Sequence, residues 1–227
     1  GFRYIRLTEY PYDAVDLSAF TAIAVHSDIR RTGGFVCGNA KINQLYHNII
    51  WGQKGNYLDI PTDCPQRDER LGWTGDVQVF CRTAAINFDV ERFFKKWFQD
   101  MALEQRADGG ILPIIPYCLR NEEPISAAWG DVACIAPWQI YLAYGNKELL
   151  RENFPMMKKW VDYIRNSSTN EYLWLGGCHL GDWLGMDGAP GTFHGGTSND
   201  LIASAFYAYS TSLLIKAGEE LGENMSD

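Results

Sequence analysis

The chain has 227 residues, of which 46% are hydrophobic and 21% charged; that is enough for one sizeable domain with a buried core, and no run is polar or repetitive enough for disorder. Lys and Arg number 20 against 28 Asp and Glu, a formal charge of −8, with no basic stretch to follow a phosphate backbone, which argues against nucleic acid as a partner. The longest apolar stretches, such as residues 111–115 and 213–215, fall far short of the roughly 20 residues that span a bilayer, so a soluble protein without a membrane partner is expected.

The opening Gly1-Phe2-Arg3-Tyr4 carries neither a charged n-region nor an apolar h-region and leaves the compartment open. Residues 1–36 hold short β-type runs, Phe2, Tyr4 and Ile5 and then residues 20–25, broken by Pro11 and Gly33-Gly34. They predict the C-terminal end of a β-domain and its linker, since so few strands need a partner surface. The six cysteines, Cys37, Cys64, Cys81, Cys118, Cys134 and Cys178, form no CxxC pair and mostly lie among apolar neighbours, which predicts free thiols.

At Asn39 the period becomes helical. Asn39 is a capping residue, and Ile42, Leu45, Tyr46, Ile49 and Ile50 follow at spacings that line one face. A second helix is expected from Asp76 through Val77, Phe80 and Ala84, and a third after Asp89 with Val90, Phe93, Phe94, Trp97, Phe98 and Met101 facing inward. Further helices are expected over 131–143, 147–166 and 199–221, stopped by Gly145 and Gly222. Trp97, Trp138 and Trp160 fall on helical faces and read as core.

The connections alternate in length: those at 87–89 and 144–146 are short, those at 59–75, 107–130 and 167–198 long. In an antiparallel helix array every second connection lies at the same end, so the three long loops should gather on one face. Long loops inside compact domains are usually functional. The first runs from Asp59 to Asp76 and brings Asp63, Asp68, Glu69 and Asp76 together, with Arg67 and Arg70 between them and Trp73 alongside. Crowded carboxylates cannot all ionise cheaply, so at least one should keep its proton. An acid held protonated beside an aromatic plate suits glycosidic cleavage, in which it protonates the departing oxygen while the plate stacks on the sugar. The same residues also read as solvated or salt-bridged acids, with Asp76 as a helix cap. Cys64 among these carboxylates lacks nearby His, so no metal is expected and no cofactor is implied. His179 and His194, in the third long loop, read as ordinary hydrogen-bonded surface histidines before they read as sugar contacts.

The run DCPQRDERLGWTGD, residues 63–76, resembles the signature of bacterial α-L-rhamnosidases. The resemblance extends to Ser27-Asp28, Asn56, Trp129-Gly130-Asp131 and Gly181-Asp182-Trp183. It implies a mainly α fold, the first part of an (α/α)6 barrel preceded by the end of a β-sandwich domain: residues 1–36 would be that end and linker, and residues 37–227 the N-terminal half of a truncated catalytic barrel. It implies removal of terminal α-L-rhamnose from an oligosaccharide, polysaccharide or other rhamnoside by an inverting mechanism. Glu69 would be the general acid, and Asp63 and Asp76 would hold sugar hydroxyls. Arg67 would orient carboxylates, while Trp73, Trp129 and Trp183 would wall the ring and its apolar C6 methyl edge. Asp131 and Asp182 would make further hydroxyl contacts.

The family's general base comes late in the barrel. It is expected to be missing from this chain, where Glu219, Glu220 and Glu223 fall at the polar end of the last helix. A half barrel would leave apolar helix faces uncovered and invite self-association. Two other readings remain open, a non-catalytic carbohydrate-binding module and a related (α/α)6 glycosidase or lyase acting on another sugar.

Overall fold

Asn39 caps the first helix as its place in the sequence requires: its side chain accepts hydrogen bonds from Lys41 N and Ile42 N, and α1 runs Ala40–Asn56. The computed structural model describes residues 2, 4–120 and 124–225, so Asn121, Glu122 and Glu123 of the second long loop, like Gly1 and Arg3, lie outside the described residues. A two-residue pairing of β1, Tyr57–Leu58, with β2, Ile60–Pro61, follows α1. Then come α2 (Thr74–Asn87), α3 (Glu91–Glu104), α4 (Val132–Tyr144), α5 (Lys147–Ser167) and α6 (Asn199–Leu221). Both glycine stops hold: Gly145 and Gly222 take the left-handed conformation at φ 68° and 75° that ends α4 and α6 at little steric cost.

The character of each helix places it. α4 is apolar almost all round, and Val132, Ala133, Cys134, Ile135, Ala136 and Ile140 are buried, because α2, α3, α5 and α6 all pack against it. α3 and α5 instead carry one apolar stripe each, Phe94, Trp97, Phe98 and Met101 on the first and Leu149, Met157, Trp160 and Ile164 on the second. They form an outer layer behind the row α2, α4, α6. This double row of helical hairpins is the architecture of part of an (α/α)6 barrel. Trp97 and Trp160 are wholly enclosed, their indole N–H groups donating to Ile115 O and Asp131 Oδ1 at 3.0 Å, while Trp138 is only half-buried. The six cysteines are free.

Two segments stand apart from this packing. The β-type runs before residue 36 do not pair with one another; the described part of that segment holds a 3-10 turn at Leu17–Ala19 and one isolated bridge, Arg31 with Phe88. A strand whose hydrogen-bonding edges meet no partner has little to hold it extended. On α1, the residues expected to line one face are buried only at Ile50, whereas Ile42 is 45% and Leu45 57% exposed, because no described element covers that face. α1 is anchored by a polar bridge instead: buried Gln53 donates to Ala84 O at 3.2 Å and accepts from Asn87 Nδ2 at 3.1 Å, both on α2.

The three long loops meet at one end of the helices. Ile115 N donates to Gly72 O at 2.9 Å and Thr74 N to Pro113 O at 2.8 Å, joining the first loop to the second. Leu180 N donates to Ser126 Oγ at 3.0 Å, joining the third to the second.

Candidate active site

The first long loop is closed by one of its own acids. Asp63 Oδ1 accepts from Leu71 N at 2.9 Å while Asp63 N donates to Leu71 O at 3.0 Å, which folds residues 63–71 into a lobe. Within the lobe Arg67 Nε donates to Glu69 Oε2 at 2.8 Å and its terminal nitrogen reaches Asp63 Oδ2 at 3.4 Å. Trp73 Nε1 donates to the other Glu69 oxygen at 2.9 Å. Both oxygens of Glu69 are thus held, and its side chain keeps 35% exposure to solvent. Arg70, at φ 53°, bends the chain back so that its own Nε meets Arg67 O at 3.0 Å.

Beside this lobe opens a cavity of about 660 Å3. All three long loops contribute to its wall: Asp63 from the first, Trp129 from the second, Asp182 and Trp183 from the third. Asp76, in the first turn of α2, completes it. Partial burial pushes the Asp76 carboxyl above the ordinary carboxylate range, and the negative charges of Asp63 and Glu69 add to the rise. Asp76 is thereby drawn towards its protonated form. Gly75 sets the distance between α2 and Trp129, since a Cβ at that position would stand 2.7 Å from the indole.

The residues expected to form a site separate into three sets. Asp63, Asp76, Trp129, Asp182 and Trp183 line the cavity. Glu69, Arg67 and Trp73 do not line it but stand in the hydrogen-bonded group that Arg67 ties to Asp63. Asp131 belongs to neither, which corrects its expected role as a hydroxyl contact. It is fully enclosed, with Oδ1 accepting from Trp160 Nε1 at 3.0 Å and Ser210 Oγ at 2.5 Å, and Oδ2 from Ala128 N at 2.8 Å. A carboxylate with three internal donors and no solvent path holds α4, α5 and α6 together and has nothing left to offer a sugar.

In the third loop Trp183 is 43% exposed and stacks on Phe193 with ring centroids 5.2 Å apart, and Thr197 Oγ1 donates to Asp182 Oδ2 at 3.3 Å. His194 is exposed as expected and bonds Leu180 O, while His179, expected at the surface, is instead buried at the join between loops, where Ala127 N donates to it. Sequence reasoning missed Tyr57 and Phe80, aromatic parts of the wall that resemble ordinary core residues, and Ala128, whose φ of 69° no residue type announces.

Asp63, Cys64 and Glu69 present ligand atoms within 4.8 Å of one another. They fit a metal poorly: the Arg67 guanidinium already bonds both carboxylates, and desolvation together with the adjacent Asp63 pushes the Cys64 thiol up, away from the thiolate a metal needs. What the arrangement suits is a polyhydroxylated ring with an apolar edge: indoles for the edge, carboxylates for the hydroxyls, and a carboxyl group at the margin to move a proton.

A sequence model described as the bacterial alpha-L-rhamnosidase 6 hairpin glycosidase domain matches residues 30–227. An alpha-L-rhamnosidase of Formosa agariphila is 41% identical over 224 residues, covering 98% of this chain and 24% of that protein. Another, of Streptomyces avermitilis, is 36% identical over 99% of this chain and 21% of its own length. Among solved structures, native alpha-L-rhamnosidase from Aspergillus terreus superposes with a TM-score of 0.82 at 40% identity, over 88% of this chain and 24% of that one. The Streptomyces avermitilis alpha-L-rhamnosidase complexed with L-rhamnose gives 0.79 at 36% identity, over 88% of this chain and 18% of that one. The chain spans about a quarter of the length of the curated Formosa agariphila relative.

Proposed function

Since the chain belongs to the bacterial alpha-L-rhamnosidase six-hairpin glycosidase family, we propose that it serves the removal of terminal α-L-rhamnose from rhamnose-containing oligosaccharides, polysaccharides or glycosides, with Glu69 as the general acid. The observation that carries this reading is Glu69 itself: each oxygen is fixed by a different donor, Arg67 or Trp73, beside a cavity with carboxylates and indoles on its wall. A proton donor must hold its geometry as the bond to the leaving oxygen lengthens, and two fixed contacts supply that.

In this reading Asp63, Asp76 and Asp182 accept hydrogen bonds from sugar hydroxyls. Trp129 and Trp183 take the ring face and the C6 methyl edge, where a deoxy sugar has no hydroxyl to satisfy. Arg67 keeps Asp63 and Glu69 in register, and Trp73 fixes the acid. The reaction is assigned an inverting course, which needs a second carboxylate about 6.5–9.5 Å from the acid to activate water; no residue of this chain is assigned to it. Residues 1–36 are read as the end of a β-sandwich domain with its linker, and residues 37–227 as the N-terminal half of the barrel, a partition supported by the family match beginning at residue 30. Exposed Ile42 and Leu45 on α1 and Val79 and Ile86 on α2 support self-association through those faces, so light scattering should show species larger than a monomer; a clean monomer would remove that part.

The test of function is hydrolysis of p-nitrophenyl α-L-rhamnoside by this chain and by a longer form that reaches the length of its relatives. Turnover by the longer form, cut about a hundredfold or more by Glu69→Gln, is expected for loss of a general acid. Absence of turnover from both would refute the substrate.

A further inference from the structure

We propose that His179 is a positioning residue for the cavity wall: as a neutral imidazole it fastens the turn preceding Trp129 to the third long loop, and taking up a proton unfastens it. The consequence for sugar rests on the rhamnoside reading of the cavity, while the latch itself does not.

The geometry selects one tautomer. Ala127 N donates to His179 Nδ1 at 3.1 Å, so Nδ1 is the acceptor; the ring proton is then on Nε2, which faces Gly176 O at 3.0 Å. Both ring nitrogens are used, and the residue is 5% exposed. A second proton would have to sit on Nδ1, where it would point at the Ala127 N–H, so the charged ring cannot keep the bond that joins the loops.

What that bond holds is a strained turn. Ala128 is a non-glycine residue at φ 69°, a conformation that costs about 1 kcal/mol or more unless its surroundings impose it. Two successive amides impose it: Ala127 N is taken by His179 and Ala128 N by the Asp131 carboxylate at 2.8 Å. The next residue is Trp129, on the cavity wall, and two residues beyond His179 the third loop reaches Gly181, Asp182 and Trp183 on the same wall. His179 therefore stands at the point where two of the three walls are joined. Removing its bond frees one side of the Ala128 turn while Asp131 still holds the other.

The surroundings oppose protonation. Burial holds the His179 imidazole below its ordinary value of 6.5, against an upward pull from the Gly176 carbonyl and the charge of Asp200. Asp200, in the first turn of α6, accepts from Gly176 N at 2.8 Å and is the charged group whose field reaches the ring. Trp174 packs edge-on at 4.6 Å, and the second loop offers it backbone with the Ser126 hydroxyl nearby; Asp131 lies beyond, bound to Ala128. Because the unfolded chain binds this proton more readily, the stabilisation is complete above about pH 6.5 and is lost as pH falls through the lower folded value.

The test is nuclear magnetic resonance of the chain and of His179→Asn, whose side-chain oxygen can stand where Nδ1 accepts but does not titrate. Imidazole nitrogen shifts at about pH 7.5 should report the Nε2–H tautomer, and the hydrogen-exchange protection factor of the Ala127 amide should fall about fivefold as pH is lowered below 6.5 until those same shifts report the protonated ring, the scale of one net hydrogen bond. In His179→Asn it should change less than twofold over the same range. An Nδ1–H tautomer, or protection in the unmodified chain that ignores pH, would overturn the latch. L-rhamnose affinity, read as the ratio of the unmodified chain to His179→Asn, should fall with the same midpoint; a constant ratio while Ala127 is released would overturn the link to the wall. If neither protein binds L-rhamnose at any pH, the rhamnoside reading fails, and amide exchange alone still decides the latch.

Discussion

Two short motifs open two neighbouring inner helices, Trp73-Thr74-Gly75-Asp76 at α2 and Trp129-Gly130-Asp131 at α4, and in letters they are nearly the same. In each the glycine admits an indole, Gly75 the ring of Trp129 and Gly130 the ring of Trp160. In each the aspartate is pushed up by desolvation. Yet Asp131 is closed in, with three donors from Ala128, Trp160 and Ser210, whereas Asp76 stands on the cavity wall beside Asp63 with no such set. The difference shows that a buried, perturbed carboxylate is no guide to function until its partners are counted. One whose acceptor capacity is filled from inside the fold maintains the fold, and one left facing a cavity is available to a ligand.

The largest effect should come from breaking the closed corner. Asp131→Ala leaves the Trp160 indole N–H, the Ser210 hydroxyl and the Ala128 amide without their acceptor in a water-free interior, and urea unfolding should show a loss of about 3 kcal/mol or more. A loss below about 1 kcal/mol would mean that the corner rearranges, and the contrast with Asp76 would then weaken.

How far the sequence could show this division depends on the interaction that settles each residue. Helices α3, α4, α5 and α6 were legible because periodicity, Asn and Gly caps and apolar stripes act within one element. The gathering of the long loops followed from alternating connection lengths alone. Asp131 was misread because its three partners come from Ala128, α5 and α6, up to 79 residues away, and no local pattern records them. The exposure of α1 was not legible for the complementary reason: periodicity reports that Ile42 and Leu45 share a face, and cannot report whether anything lies over it. The first-loop acids were legible as a crowd, but the pairing of Glu69 with Arg67 and Trp73 needed the αL turn at Arg70.

A smaller effect separates the two glycines. A methyl at either position meets an indole and should cost about 1–3 kcal/mol by overpacking. Gly75→Ala displaces Trp129 on the cavity wall and should also weaken L-rhamnose binding about tenfold, whereas Gly130→Ala displaces the core ring of Trp160 and should leave the affinity of the folded protein within about twofold, a fraction of a kcal/mol. Paired calorimetry and thermal melts check both; equal losses of affinity would erase the distinction between wall and core.

The smallest effect is on Asp76, and its sign is opposite to that of Asp131→Ala. A carboxyl whose folded value lies above the ordinary 3.8 binds its proton more tightly in the folded state, so the folded protein loses stability as pH rises from about 3.8 through that higher value. Asp76→Asn removes the cost: the variant should unfold at higher urea than the unmodified protein near neutral pH, with the gap closing below 3.8, while its affinity for L-rhamnose falls. An Asp76→Asn protein less stable at neutral pH would place Asp76 with Asp131 as a residue of the fold.

The most direct test of the central claim is an L-rhamnose titration of the isotopically labelled chain, following backbone amides and indole N–H groups. The account predicts saturable shifts confined to the cavity wall, at Asp63, Gly75, Asp76, Trp129, Asp182 and Trp183, with the indole of Trp160 beside Asp131 unmoved. Shifts centred on the Trp160 and Asp131 corner, or saturable binding that leaves the Asp76 and Trp129 wall unchanged, would contradict it.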